Sequence, residues 1–325
     1  MKFKLGISGD LINSDGFPCF GEEPLEQIYN RKDVEMEWMD PSIIELSQDM
    51  TAKYDGIVLN LPKANADSVE RNDCNLKIIS RFGVGFDSVD VKAMKNKGII
   101  VTNTPNAVRR PVAVSALTMI FALSGKLFLK DELVRSGKWS QRTNHMGFGL
   151  NKKVLGIIGC GSIGSELVKL SSPFFAKIVA YDPFVSSEEM VKKGIEKLDI
   201  HELALESDFV VVLCNLNEQT YGLINIEFFK NMKKNAFFVN MSRGPVVNED
   251  DLILVLEKNL IAGAGLDVFM EEPINKDNKL INLKNTILTP HALCWTDECF
   301  AAIANEAIGS ILNYIDRKPI LNRVN

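Results

Sequence analysis

Val154-Leu-Gly-Ile-Ile-Gly159-Cys-Gly161-Ser-Ile-Gly164 decides the fold. The apolar run Val154 to Ile158 ends at Gly159 and gives way at once to a helical pattern, Ile163 to Leu170. G-x-G-x-x-G spacing alone is a weak signal, but here a strand precedes it and a helix follows, so each glycine has a task. Gly159 permits the tight turn, Gly161 lets the backbone approach a pyrophosphate, and Gly164 allows close helix packing. The helix N-terminus, with Ser162 and Ile163, presents N–H groups to the phosphates. The motif calls for an acid about 20 residues on to accept ribose hydroxyls, and Asp182 stands there in Val179-Ala-Tyr-Asp182-Pro183. Its charge repels a 2′-phosphate, and no Arg or Lys follows between Pro183 and Met190 to neutralise one. The cofactor this predicts is NAD rather than NADP.

Short apolar runs alternate with helical patterns from this motif to residue 288: Ile178–Ala180, Phe209–Leu213, Ala236–Val239, Ala262–Leu266 and Thr286–Leu288. With Val154–Ile158 they predict six strands of a parallel sheet buried on both faces. Before it, Phe3–Ile7, Tyr54–Leu61, Lys77–Ser80 and Gly98–Val101 predict a second, smaller α/β domain. Pro111 is expected in the first turn of a helix, with residues 111 to about 135 as one long apolar helix. Its residues Val112, Val114, Leu117, Ile120, Phe121, Leu123, Leu127 and Phe128 spread round more than one face, which predicts burial on every side. A last helix capped by Thr296 carries Phe300, Ile303, Ala304, Ala307, Ile308, Ile311 and Ile315 on one face and is expected to return to the N-terminal domain.

The chain has 325 residues, 46% of them hydrophobic and 24% charged, with a net charge of −5. That length favours two domains. Net negative charge without a basic block longer than Arg109-Arg110 argues against nucleic acid and anionic membrane as partners. The apolar stretch Val112 to Leu123 falls short of the roughly 20 residues that cross a bilayer. Met1 to Asp10 has no long apolar segment of the kind that directs secretion, so a cytoplasmic location is expected. The six cysteines form no C-x-x-C pair, so neither a zinc site nor a dithiol motif is predicted.

Ligands of doubly wound sheets bind outside the carboxyl ends of the strands. The residues there are the glycine loop, Asp182, Cys214-Asn215, Ser242-Arg243, Asp267 and His291, with Glu272 on the loop after Asp267. Reducing a 2-oxo acid requires a cation for the carboxylate, a proton donor for the carbonyl oxygen and a group that keeps the donor protonated. Arg243, His291 and Glu272 suit those roles. A guanidinium matches a carboxylate bidentately, and a carboxylate beside an imidazole favours its charged form. Of the three histidines, His145 and His201 lie in stretches expected at the surface. Ser162, Ile163, Cys214, Asn215, Thr220 and Met241 complete the candidate cofactor contacts. Arg109 and Arg110 are expected to be solvated or to bind acids across a dimer; the alternative is a second cation for a doubly anionic substrate.

At these residues the chain resembles the D-isomer-specific 2-hydroxyacid dehydrogenases, the family of glycerate, hydroxypyruvate/glyoxylate and 3-phosphoglycerate dehydrogenases. The motifs are Ser80-Arg-Phe-Gly-Val-Gly-Phe-Asp87, Val101-Thr-Asn-Thr-Pro105, Leu155 to Gly164, Val239-Asn-Met-Ser-Arg-Gly244, Gly265-Leu-Asp-Val-Phe269 with Glu272-Pro273, and Leu288-Thr-Pro-His291. The resemblance implies that Arg243, Glu272 and His291 are catalytic, that Asp267 holds the nicotinamide carboxamide, and that the Val84 and Gly85 N–H groups receive the substrate carboxylate. It also implies two doubly wound parallel-sheet domains, a flavodoxin-like substrate domain at residues 1–104 and 296–325 and a Rossmann NAD domain at 105–295. A homodimer through the helix from Pro111 is implied too. The activity implied is NAD-dependent interconversion of a D-2-hydroxy acid and its 2-oxo acid, of the glyoxylate/hydroxypyruvate reductase kind. 3-Phosphoglycerate dehydrogenase is the runner-up, and a non-catalytic NAD-sensing corepressor or scaffold the reading from another class. The chain departs from the family pattern at Val114, where many relatives have Glu, at Ala292-Leu-Cys-Trp295 after the histidine, and at Asn215 in place of a common proline.

Overall fold

A computed structural model describes residues 2–325. Two compact units form: one from residues up to Val108 together with Trp295–Asn325, the other from Arg109–Cys294. The divisions expected after residues 104 and 295 thus fall at 108 and 294.

The first unit contains β1 (Phe3–Ile7), α1 (Glu26–Tyr29), β2 (Val34–Trp38), α2 (Gln48–Lys53), β3 (Gly56–Leu59), β4 (Ile78–Arg81), α3 (Val91–Asn96) and β5 (Ile100–Thr102). Its sheet has the order β2-β1-β3-β4-β5 with every pair parallel, the flavodoxin-like order. The sequence predicts four strands here and five form. β2 (Val34-Glu-Met-Glu-Trp38) is an edge strand on which charged residues interrupt the apolar ones, so it lacks a continuous apolar run.

α4 (Pro105–Gly125) begins six residues before Pro111, which therefore lies inside the helix and not in its first turn. A proline there cannot donate to the carbonyl of Ala107. At Lys126 the backbone turns left-handed (φ 52°), and α5 (Leu127–Arg135) follows, so the single helix expected is two. α4 is long and apolar enough to span a bilayer by length and composition. Ala113, Ala116, Leu117, Met119, Ile120 and Leu123 are nevertheless buried against the sheet of the second unit. Val114 and Phe121 are exposed in the single chain.

That sheet comprises β6 (Val154–Ile158), then α6 (Ser162–Ser171), β7 (Lys177–Tyr181), α7 (Ser187–Lys192), β8 (Glu196–Lys197), α8 (Ile200–Glu206), β9 (Phe209–Val212), α9 (Ile226–Asn231), β10 (Phe237–Asn240), α10 (Glu249–Glu257), β11 (Gly263–Leu266) and β12 (Thr286–Leu288). The order is β12-β11-β10-β9-β6-β7-β8, all parallel, a Rossmann sheet with the reversal between β6 and β9. Seven strands form where six are predicted, because β8 is two polar residues at the edge. Alternate residues feed two cores, Ile158, Val210 and Val212 on one face and Leu155, Ile157 and Val211 on the other. α11 (Asp297–Ile315) then closes the first unit, capped by the Thr296 hydroxyl, with Phe300, Ile303, Ala307, Ile308 and Ile311 buried; Ile315 is partly exposed.

Candidate active site

The glycine loop lies at the point of strand reversal and has little room for side chains. Gly159 is left-handed (φ 94°), and a Cβ there would fall 2.5 Å from the Cys214 nitrogen. One on Gly164 would meet the Gly159 oxygen at 2.4 Å, whereas at Gly161 it would face open space. Gly161 caps α6 with no side-chain hydrogen bond, so Ser162 and Ile163 open the helix with first-turn N–H groups available to an anion. Asp182 at the end of β7 is buried and grips the loop: Oδ2 accepts the Cys160 N–H (2.8 Å) and Oδ1 the Phe184 N–H (2.9 Å). Each oxygen retains a lone pair for a ribose hydroxyl. These residues fit a dinucleotide.

Cys214, Asn215 and Thr220 lie on the loop after β9. The Thr220 hydroxyl donates to the Asn215 carbonyl (2.6 Å) and accepts the Asn217 N–H (2.8 Å), which closes the loop on itself. Burial pushes the Cys214 thiol up to about 11. Met241 is buried in the core, on the face with Val211 and Val239.

Three loops past β10, β11 and β12 carry Arg243, Glu272 and His291. After β10, Asn240 braces the turn: its amide donates to the Arg243 carbonyl (3.0 Å) and its Oδ1 accepts the Ser242 N–H (3.0 Å). The next residue, Gly244, approaches so closely that a Cβ would fall 1.8 Å from the Phe269 oxygen. This contact presses the Arg243 loop against the one bearing Glu272. Glu272 Oε1 accepts the Phe269 N–H (2.9 Å), and Oε2 lies 2.7 Å from His291 Nδ1. Burial of Glu272 opposes its charge, but the His291 hydrogen bond and charge, the Phe269 N–H and the Arg243 charge outweigh it and hold the carboxyl below its usual range.

His291 has a left-handed backbone (φ 54°), uncommon for a residue with a Cβ. Asp267 Oδ1 holds that loop, accepting the Thr289 hydroxyl (2.6 Å) and the N–H groups of Ala292 (3.1 Å) and Leu293 (3.2 Å). Burial raises the Asp267 carboxyl despite these donors and the His291 charge. This bracing by Asp267, and the roles of Asn240, Gly244 and Thr289, are not visible in the sequence pattern, which marks strand ends but not how loops meet. Arg109 and Arg110 are both exposed, and Arg110 Nη1 also pairs with Glu166 of α6 in the same chain at 2.8 Å.

In the first unit, Gly83 (φ 125°) exchanges hydrogen bonds with Thr104, donating to its hydroxyl (3.0 Å) and accepting its N–H (3.0 Å). The Val84 carbonyl accepts the Asn103 amide (2.8 Å). With the loop so pinned, the N–H groups of Val84 and Gly85 meet no acceptor among the described residues.

The sequence profile of the D-isomer specific 2-hydroxyacid dehydrogenase NAD-binding domain matches residues 117–292. The chain is 33% identical over 320 residues to a glyoxylate reductase of Thermococcus litoralis, covering 95% of this chain and 94% of that one. It is 33% identical over 323 residues to a D-3-phosphoglycerate dehydrogenase of Synechocystis sp., covering 99% of this chain and 57% of that protein. The chain thus spans about half the length of the D-3-phosphoglycerate dehydrogenases it matches. Among solved structures, the D-lactate dehydrogenase of Aquifex aeolicus complexed with NAD and lactic acid gives a TM-score of 0.82 at 26% identity, covering 96% of each chain. The glycine loop, Asp182 and the three loops past β10, β11 and β12 all lie in the unit that the profile matches, and the chain belongs to the D-isomer specific 2-hydroxyacid dehydrogenase family.

Proposed function

We propose that the protein is an NAD-dependent oxidoreductase that interconverts a D-2-hydroxy acid and its 2-oxo acid. The observation that carries the reading is the 2.7 Å contact between Glu272 and His291 at the carboxyl edge of a Rossmann sheet, with the Arg243 charge acting on the same carboxylate. Bound NAD supplies the hydride acceptor, and its reduced form the donor. His291 gives a proton to the carbonyl oxygen in reduction and takes it back in oxidation, with Glu272 stabilising the imidazolium and fixing the ring. Arg243 pairs with the substrate carboxylate and polarises the carbonyl. The Val84 and Gly85 N–H groups of the first unit, which meet no acceptor among the described residues, are donors of the kind that receive a carboxylate. Asp182 favours NAD over NADP.

The reading includes a homodimer through α4 and α5, supported by exposed Val114, Phe121, Leu127 and Phe128 and by an apolar cavity of about 470 Å³ that three of them help line. It also includes a cytoplasmic location. NADH oxidation measured with a panel of 2-oxo acids tests the activity. Turnover of at least one, abolished in His291→Ala, is expected; absence of turnover with every acid would overturn the reading.

A further inference from the structure

Five aromatic rings follow one another through the first unit. Trp38 lies 6.1 Å from Phe20, Phe20 5.8 Å from Phe82, Phe82 5.3 Å from Phe300, and Phe300 5.0 Å from Trp295, centroid to centroid. Phe20, Phe82 and Phe300 are buried, which packing alone accounts for; Trp295, at the end of the row, leaves 51% of its surface open. Two residues past Phe82 come the Val84 and Gly85 amides, and directly after them Phe86, 39% exposed. The anion-receptive backbone therefore sits between a buried ring whose row ends in Trp295 and an exposed one.

Polar groups at the same strand ends are already engaged. Arg81 Nη1 donates to the carbonyls of Phe82 and Leu59 and to Asn60 Oδ1. The Asn60 amide donates in turn to Asp10 Oδ2 (2.5 Å), which also accepts the Leu61 N–H (3.3 Å). The other oxygen, Asp10 Oδ1, is buried without a donor. A second substrate anion brought to this edge meets the Asp10 carboxylate together with the engaged Arg81 guanidinium, so the edge offers it no net positive charge. An apolar substituent meets aromatic surface instead and gains about 25 cal/mol for each Å² removed from water. In the second unit Arg110, one of the two candidate cations for a second anion, is engaged by Glu166, and Arg109 is exposed.

Resting on the oxidoreductase reading above, we propose that Trp295, with Phe86, determines specificity by forming an apolar wall for the substrate side chain. The substrate class is then 2-oxo and 2-hydroxy acids with a branched aliphatic or aromatic side chain, in preference to glyoxylate or a phosphorylated acid. Trp295 touches the substrate's side chain and takes no part in proton or hydride movement.

The test is kcat/KM with NADH for glyoxylate, 3-phosphohydroxypyruvate, 4-methyl-2-oxopentanoate and phenylpyruvate, in the wild type, Trp295→Ala, Trp295→Phe and Phe86→Ala. In the wild type one of the two apolar acids should exceed both others by at least about fivefold. Trp295→Ala should lower the ratio of that acid to glyoxylate by at least about fivefold, and Trp295→Phe by less. A merely structural loss depresses both acids together and leaves the ratio in place. If Trp295→Ala does not fold, Phe86→Ala reads the same ratio. A wild type that favours glyoxylate or the phosphorylated acid, or a ratio that moves by less than that margin, overturns this inference while leaving the oxidoreductase reading intact. A protein that reduces no 2-oxo acid overturns both.

Discussion

Glu272 is held at both oxygens, Oε1 by the Phe269 N–H at 2.9 Å and Oε2 by His291 Nδ1 at 2.7 Å. The carboxylate cannot swing away from the imidazole without giving up a backbone hydrogen bond as well. The ring is thereby turned so that its second nitrogen, Nε2, is the one left to meet a substrate oxygen.

His291→Ala or His291→Asn should lower kcat for 2-oxo acid reduction by about 10²- to 10⁴-fold, the usual contribution of a general acid. NADH affinity, measured by fluorescence titration, should stay nearly unchanged because the glycine loop and Asp182 are untouched. Unaltered turnover would remove His291 from the mechanism.

Because His291, Phe269 and Arg243 together outweigh the effect of burial, the Glu272 carboxyl ionises below its usual range. The contribution of its charge is therefore complete above the ordinary carboxylate pKa and lost as pH falls through the lowered one. At neutral pH it faces the imidazole as an anion. Glu272→Gln removes that charge and should lower kcat for reduction at neutral pH by about tenfold or more, with NADH affinity nearly kept. Unchanged kcat would exclude Glu272 from this role.

Asp182→Ala deletes both the ribose acceptor and the grip on the Cys160 N–H. NADH should bind about 10- to 100-fold more weakly, as expected for hydrogen bonds to a charged group, and the preference for NADH over NADPH should narrow. Paired fluorescence titrations would show it, and a wild type that prefers NADPH would contradict the assignment.

Gly244→Ala places a methyl where the Phe269 carbonyl stands, so one of the two loops must move. A displacement of about 1 Å between Arg243 and Glu272 should cost about 100-fold in kcat/KM, with NADH binding largely kept. Normal kinetics in a folded Gly244→Ala protein would show that the close approach does not position the site.

For assembly, light scattering should give a mass near twice 36.2 kDa. Phe128→Asp, which charges an exposed apolar residue of α5, should return the protein to monomer at low micromolar concentration. A wild-type mass of one chain across the concentration range would refute the dimer.

The central sheet was legible in the sequence because parallel strands covered on both faces are written as continuous apolar runs, such as Phe209–Val212. Edge strands are not: β2 mixes glutamates with apolar residues, and β8 is two polar ones. The start of α4 was obscured because Pro105 and Pro111 both suit a first turn, and the choice between them depends on tertiary packing. Arg243, Glu272 and His291 could be found because a parallel sheet gathers the ends of its strands along one edge. Gly244 and Asp267 could not be assigned their positioning roles, since those follow from how loops meet, through a backbone approach at Gly244 that leaves no room for a Cβ and Asp267 contacts of 2.6 to 3.2 Å, which no spacing in the sequence encodes.

The left-handed backbone at His291 sets chemistry and endurance against each other at one residue. An L-residue in that region carries roughly 1–2 kcal/mol of strain, which glycine relieves at no steric cost. Replacing the histidine by glycine should therefore release that strain while giving up the Glu272 contact, and the protein should do no chemistry. A scaffold with no reaction to perform would have no use for that strain, and the histidine keeps it in the geometry a proton donor needs.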